Sequence, residues 1–209
     1  MVAFTPTYPL TIPTTPGFSH SNIRLAKSIG ITTSIFTFQS QVQQFDGEVW
    51  TGEFKLPPMI RSQAGQWQAF FMQLRGRRGT FRLGDPDNTS LLGAATGTIR
   101  VNGASQVGNQ VALDGFANST TDVLKKGDYI QINSYMYLVT DDASSNGSGE
   151  ADVKIEPALR QSIETISDNT IITYGSSAKT VWRMDDNTLG WDGDRVSRYG
   201  FNFSCTEAL

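Results

Sequence analysis

Hydrophobic and polar positions alternate with period two over two stretches between residues 34 and 56. In SIFTFQSQVQQF, Phe36, Phe38 and Val42 fall on one face; in EVWTGEFKLPP, Trp50, Phe54 and Leu56 do the same. Asp46-Gly47 lies between them, and alternation on both sides of an Asp-Gly pair predicts a β-hairpin turning there. The period then lengthens. In SQAGQWQAFFMQLRG, Trp67, Phe70, Phe71 and Leu74 stand at i, i+3, i+4 and i+7, an apolar stripe on one helix. Ser62 is placed to cap its start, Arg75 suits the negative end of the helix dipole, and Gly76 suits the position just beyond. A short strand follows in GTFRLG, with Phe81 and Leu83 inward, and Asp85-Pro86-Asp87-Asn88 closes it as a turn.

From about Gly93 the chain becomes small, polar and glycine-rich. TIRVNG and QVALDG read as short strands, LKKGDYIQINSYMYLVTDD as two strands across Asn133-Ser134, and residues 151–155 as another after an Asn146-Gly147 turn. Short strands punctuated at this spacing predict a small barrel. TVWRMD (180–185) and RYGFNFSCTEA (198–208), where Tyr199, Phe201 and Phe203 alternate, complete the pattern. The expected fold is mainly β: a β-sandwich with one flanking α-helix from residues 1–92 and 161–209, and an inserted OB-like or SH3-like β-barrel from 93–160. Pro6, Pro9, Pro13 and Pro16 exclude helix and central strand from the first 20 residues, leaving an extended arm that runs along a neighbouring subunit or hangs free.

Composition narrows the function. Charged residues make up 18% of the 209, below the ~25% usual in soluble proteins, and interface cores are likewise charge-poor. A net charge of −3 and a pI near 5.1 argue against a general nucleic-acid coat, whose affinity would come from neutralising phosphates. The single cysteine, Cys205, excludes an intrachain disulfide and reads as a buried small hydrophobe. The single histidine, His20, sits in GFSHSN with nothing around it to build a catalytic triad. No apolar run reaches the ~18 residues of a membrane helix, and the N-terminus lacks the order of a signal peptide.

Four acidic pairs could suggest metal or acid–base chemistry: Asp85/Asp87, Asp141/Asp142, Asp185/Asp186 and Asp192/Asp194. Three stand directly beside Gly, Pro or Asn and Asp141/Asp142 shortly before Asn146-Gly147, where aspartate serves as a turn residue, and none has EF-hand or glycosidase spacing. GxSxG, Walker, HExxH and CxxC patterns are absent from the sequence. No enzyme activity, cofactor or metal is expected. Trp50, Trp67 and Trp182 fall in core register, whereas Trp191, with Tyr135 and Tyr137 of the insert, could face a ligand such as a sugar.

RGRRGTFRLGDPD (75–87) concentrates Arg75, Arg77, Arg78 and Arg82 across a helix end and a strand start. They do not share one helix face, and the exposed aromatics that accompany single-strand binding are missing nearby. An inter-subunit or helix-terminus role is expected, with arginine pairing bidentately to carboxylates.

The order of these pieces resembles a known family. An aromatic hairpin (VWTGEFKLPPM), the helix RSQAGQWQAF, LRGRRGTFRLGDPD, a β insert with LKKGDYIQI, MYLVTDD and DVKIEPALR, and an aromatic last strand are similar to distal tail proteins, minor tail proteins of the tail-tip baseplate in phages with long non-contractile tails. The resemblance spans about residues 30–209. It implies a structural virion protein, with six copies closing into a ring that joins the tail tube protein to the baseplate hub and other tail-tip proteins. Genomic DNA would pass through the lumen without sequence-specific binding, no membrane would be a partner, and the barrel would project outward. The alternatives are a tail tube or head-to-tail connector protein and a carbohydrate-binding host-attachment module.

Overall fold

A computed structural model describes residues 5–160, 162–188, 190–193 and 198–209. The chain is mainly β with one helix, as the patterning predicts. In order, its elements are β1 (Leu10–Thr11), β2 (His20–Thr33), β3 (Ser40–Lys55), α1 (Arg61–Leu74), β4 (Thr80–Leu83), β5 (Arg100–Val101), β6 (Gln110–Asp114), β7 (Tyr129–Ile132), β8 (Tyr135–Val139), β9 (Ala151–Glu156), β10 (Ile172–Tyr174), β11 (Thr180–Met184), β12 (Asp192–Gly193), β13 (Tyr199–Gly200) and β14 (Asn202–Glu207).

One six-stranded sheet runs β1-β4-β11-β14-β3-β2. Alternate residues build its inner side: Phe81 and Leu83 from β4, Trp182 and Met184 from β11, Phe203 and Cys205 from β14, Trp50 and Phe54 from β3, all buried. Helix α1 covers one end of that side. Its stripe of Ala64, Trp67, Phe70, Phe71 and Leu74 is buried, and Phe71 stacks on Phe201 at 5.7 Å while Phe70 meets Phe81 edge-on at 5.5 Å. The cap differs from expectation. Ile60 precedes the first helical residue and no side chain caps the turn; Met59 is held in a bridge to Tyr199, so the chain passes from bridge to helix before Ser62 is reached.

The second sheet, β10-β7-β8-β9-β6-β5, curls until its edges meet, where Val101 N–H donates to the Thr170 carbonyl at 2.9 Å and Ile172 N–H to that of Ile99 at 3.0 Å. Its core of Val101, Val111, Leu113, Ile130, Tyr137, Val153 and Ile155 is fully buried. Strand β10 carries this nearly closed barrel past residue 160, where composition suggested that the insert ends. Asp128 explains the Lys-Gly-Asp turn: buried, it accepts from the N–H groups of Leu92, Gly93 and Lys125 at 2.7, 3.0 and 2.8 Å.

The barrel rests on the other end of the sheet's inner side. Trp50 Nε1 donates to the Met136 carbonyl at 3.0 Å, and Met136, Tyr129 and Leu138 join the core of the first sheet. Helix and barrel thus form a second layer over one sheet, consistent with a sandwich plus a small barrel. The proline-rich arm lies on its own chain: β1 pairs parallel to β4, Tyr8 OH donates to the Gln73 carbonyl at 2.7 Å, and Phe18 packs 5.1 Å from Phe54. Over residues 5–19 the arm is therefore not free but packed on its own chain.

The hairpin is the main correction. Its strands are β2 and β3, and the loop runs Ser34–Gln39, where Phe38 N–H donates to the Ser34 carbonyl at 2.9 Å and Phe38 adopts φ 55°. Asp46-Gly47 is no turn. Between the pairs Lys27–Glu48 and Ile29–Gln44, β2 contributes Ser28 alone while β3 contributes Phe45, Asp46 and Gly47, so the dipeptide sits in a bulge within one long strand.

Candidate functional site

The arginine turn is built on its backbone. Arg75 ends α1 in the left-handed region (φ 53°), followed by Gly76 (φ 67°) and a 3-10 turn over Gly76–Arg78. Gly79 N–H returns to the Leu74 carbonyl at 2.8 Å. A side chain at Gly79 would stand 2.7 Å from that same oxygen and 2.5 Å from the Tyr8 ring, which requires glycine there. Arg183 Nη1 donates to the carbonyls of Arg77 (2.6 Å) and Arg78 (3.2 Å), and Asn187 Oδ1 accepts from Arg77 N–H at 3.1 Å. Arg75, Arg77 and Arg78 are thereby presented together on an anchored turn, all exposed. Arg82 is also exposed but stands on β4, beside a cleft of about 730 Å³ that Lys179, Asp85 and Asp87 also line.

The aromatic candidates separate. Tyr137 is fully buried and Tyr135 nearly so, which corrects their assignment as ligand-facing. Strand β8 is covered on both sides: Tyr135, Tyr137 and Val139 fill the barrel, while Met136 meets the first sheet. Tyr137 OH accepts from Arg160 N–H at 3.1 Å, and burial pushes its pKa well above the usual phenol value. Trp191 remains half-exposed, 6.4 Å from Phe201, in an open cleft of about 620 Å³ with His20, Asp186 and Asp192. Trp50, Trp67 and Trp182 are buried, as is Cys205.

Of the aspartates, Asp85 and Asp186 act in turns, accepting from Asp87 N–H at 3.0 Å and Thr188 N–H at 2.8 Å. The others bind across the fold instead: Asp142 accepts from Lys126 N–H at 3.0 Å, Asp141 pairs with Lys154 at 2.7 Å and Asp185 accepts from Thr206 Oγ1 at 2.6 Å, while Asp192 stands in β12. Asp194 lies outside the described residues. Among the described residues no three metal-ligating side chains come together, and no helix is long and apolar enough to cross a membrane.

No family model matches the sequence, and no curated protein matches it significantly.

The largest feature that patterning missed is the outer half of the β2–β3 hairpin. From Ser28 to Phe45 the chain carries no charged residue, and each strand projects about 20 Å at the usual rise per residue. Ile29, Ile31, Ile35, Phe36, Phe38, Val42 and Phe45 are 47–88% exposed. Phe36 and Phe38, expected on an inward strand face, are in the loop. β2 is the last strand of its sheet, and β14 pairs with β3 only over Thr51–Lys55. Both long edges of the projecting half are therefore open among the described residues. A long, flat, uncharged pair of edges normally invites another strand.

Polar groups at the hairpin root lock it to the barrel. Lys27 Nζ contacts Glu156 at 2.6 Å and Glu48 at 2.9 Å, and the Glu156 pairing chiefly raises its pKa. Burial alone would raise the Glu48 carboxyl, but Ala158 N–H (2.7 Å) and Lys27 hold it below its usual value. Deeper, Arg160 Nη2 meets Glu207 at 2.9 Å, and Glu207 also accepts from Thr180 Oγ1 (2.9 Å) and Trp50 N–H (3.2 Å). Burial outweighs these donors and keeps the Glu207 pKa raised. Neither Arg160 nor Glu207 stands in a local motif; only the fold brings them together.

Proposed function

We propose that this chain is a structural virion protein of a phage tail tip, without enzymatic activity. Copies of it close into a ring that joins the tail tube to the baseplate hub and leaves a channel for DNA. The order of elements supports this through its resemblance to distal tail proteins, which implies six copies.

One observation carries the reading: the projecting half of the hairpin, residues 28–45, is uncharged, holds apolar residues in water and has both edges unpaired among the described residues. Monomeric proteins rarely leave such a surface uncovered. Antiparallel hairpins laid side by side offer the outer edge of β3 in one copy to the outer edge of β2 in the next. That is a head-to-tail contact, and it generates a ring when the rotation closes. The absence of charge lets identical copies approach without repulsion. The exposed arginine turn supplies a second contact, to a carboxylate of a neighbour or to the DNA in the channel.

The test is hairpin disruption. Ile31→Lys with Phe36→Ser should leave the isolated fold intact and abolish assembly, read by light scattering and negative-stain imaging. Rings of unchanged size from this variant would refute the reading. A sugar-binding attachment module is the second reading. Trp191 in its cleft favours it, and oligosaccharide quenching of fluorescence that Trp191→Ala abolishes would support it.

A further inference from the structure

The projecting half of the hairpin has two unlike sides. Cross-strand partners share a side, so the pairs Ile29–Gln44, Ile31–Val42 and Thr33–Ser40 lie on one, and Gly30–Gln43 and Thr32–Gln41 on the other. The first side is in phase with Leu25, which pairs with the buried Trp50. It therefore continues the sheet's core-facing side beyond the helix and barrel that cover it. Ile31 and Val42 are 65% and 62% exposed there. The second side continues the sheet's polar side. It offers hydroxyl and amide groups, plus Phe45 at the root, where its ring lies 3.8 Å from the position a Gly30 side chain would take.

Resting on the ring reading above, we propose that Thr32, Gln41 and Gln43 line the channel as an uncharged amide wall. Ile29, Ile31 and Val42 turn away from it and pack against the adjacent copy. A core-facing side that ends in water lacks its second layer, and burying it gains about 25 cal/mol per Å². The amide side loses little by staying wet. The occupant is a second copy of this chain: its open strand edges and uncharged flank match those of its neighbour, and the projecting half, residues 28–45, carries no charge that selects a different partner. Such a wall suits DNA passage, because along the projecting half phosphates meet no fixed cation and binding by counterion release does not arise there.

Cysteine labelling separates the sides. Native Cys205 is buried and contributes little background. Gln43→Cys and Ile31→Cys, with Thr32→Cys and Val42→Cys as second representatives of each side, are treated with a fluorescent maleimide before and after assembly, and ring formation is checked by native mass spectrometry. In the ring, Gln43→Cys and Thr32→Cys should react at nearly the unassembled rate, while Ile31→Cys and Val42→Cys should slow by at least about tenfold, as burial protects groups from solvent reagents. The opposite pattern, or equal reaction of both sides in intact rings, overturns the assignment while leaving the ring standing. A wild-type chain that never assembles refutes both.

Discussion

Replacing Arg160 by Met should destabilise the protein in a pH-dependent way. The Glu207 side chain is 0% and that of Arg160 7% exposed, with nitrogen and oxygen 2.9 Å apart. Removing Arg160 leaves a buried carboxylate with two neutral donors, Thr180 Oγ1 and Trp50 N–H. Orphaning one member of a buried ion pair costs about 3–5 kcal/mol, a large part of the ~5–15 kcal/mol that holds a typical domain together. Protonation offers relief. The Glu207 pKa is already raised by burial, so this group stabilises the fold most below the ordinary carboxylate pKa and loses that contribution as pH rises through the raised value. Without Arg160 the pKa climbs further, at about 1.4 kcal/mol per unit. Urea unfolding followed by tryptophan fluorescence should therefore show the larger loss at pH 8 and a smaller one at pH 5. Arg160 Nε has no partner among the described residues, a cost that Met removes. Arg160→Met/Glu207→Gln should consequently recover most of the stability. A single variant within about 1 kcal/mol of wild type at pH 8, or a double variant no better than the single, would refute the reasoning.

Three further outcomes are expected. Gly79→Ala drives a methyl group into the Leu74 carbonyl and should cost about 1–3 kcal/mol, lowering Tm by roughly 2–4 °C per kcal/mol; an unchanged Tm would contradict the steric account. Asp128→Ala strands three N–H groups and should cost about 2–3 kcal/mol in thermal unfolding, with Asp128→Asn losing less. Arg77→Glu with Arg78→Glu should shift stability by no more than about 0.5 kcal/mol, as surface changes do, yet impair assembly; normal virion assembly would remove the turn from the interface.

Patterns that a segment settles alone were legible in the sequence. The stripe of Trp67, Phe70, Phe71 and Leu74 needs only one helix, and the alternation of Phe81 with Leu83 needs only one strand. Pairing partners are another matter. Alternation in 34–45 and 48–56 was read as two strands facing each other, whereas 40–55 is one strand paired with residues 20–33 and 34–39 is the loop between them. A bulge and a turn draw on the same Asp-Gly chemistry, so the dipeptide did not separate them. The uncharged run from Ser28 to Phe45 was visible in the sequence, but a lack of charge does not by itself separate a projecting hairpin from buried strands. Tyr135 and Tyr137 failed for a different reason: in Tyr-Met-Tyr-Leu-Val every position is apolar enough to bury, and such a run has no outward phase. Arg160 and Glu207, far apart in sequence, meet only once barrel and sheet pack together.

The central claim is assembly through the hairpin. The most direct measurement is the mass of the full chain in solution by light scattering, paired with negative-stain images and with tail tube protein added. The account predicts closed rings with an axial opening, lost on Ile31→Lys/Phe36→Ser. A strictly monomeric protein that forms no ring even beside tube protein would contradict it.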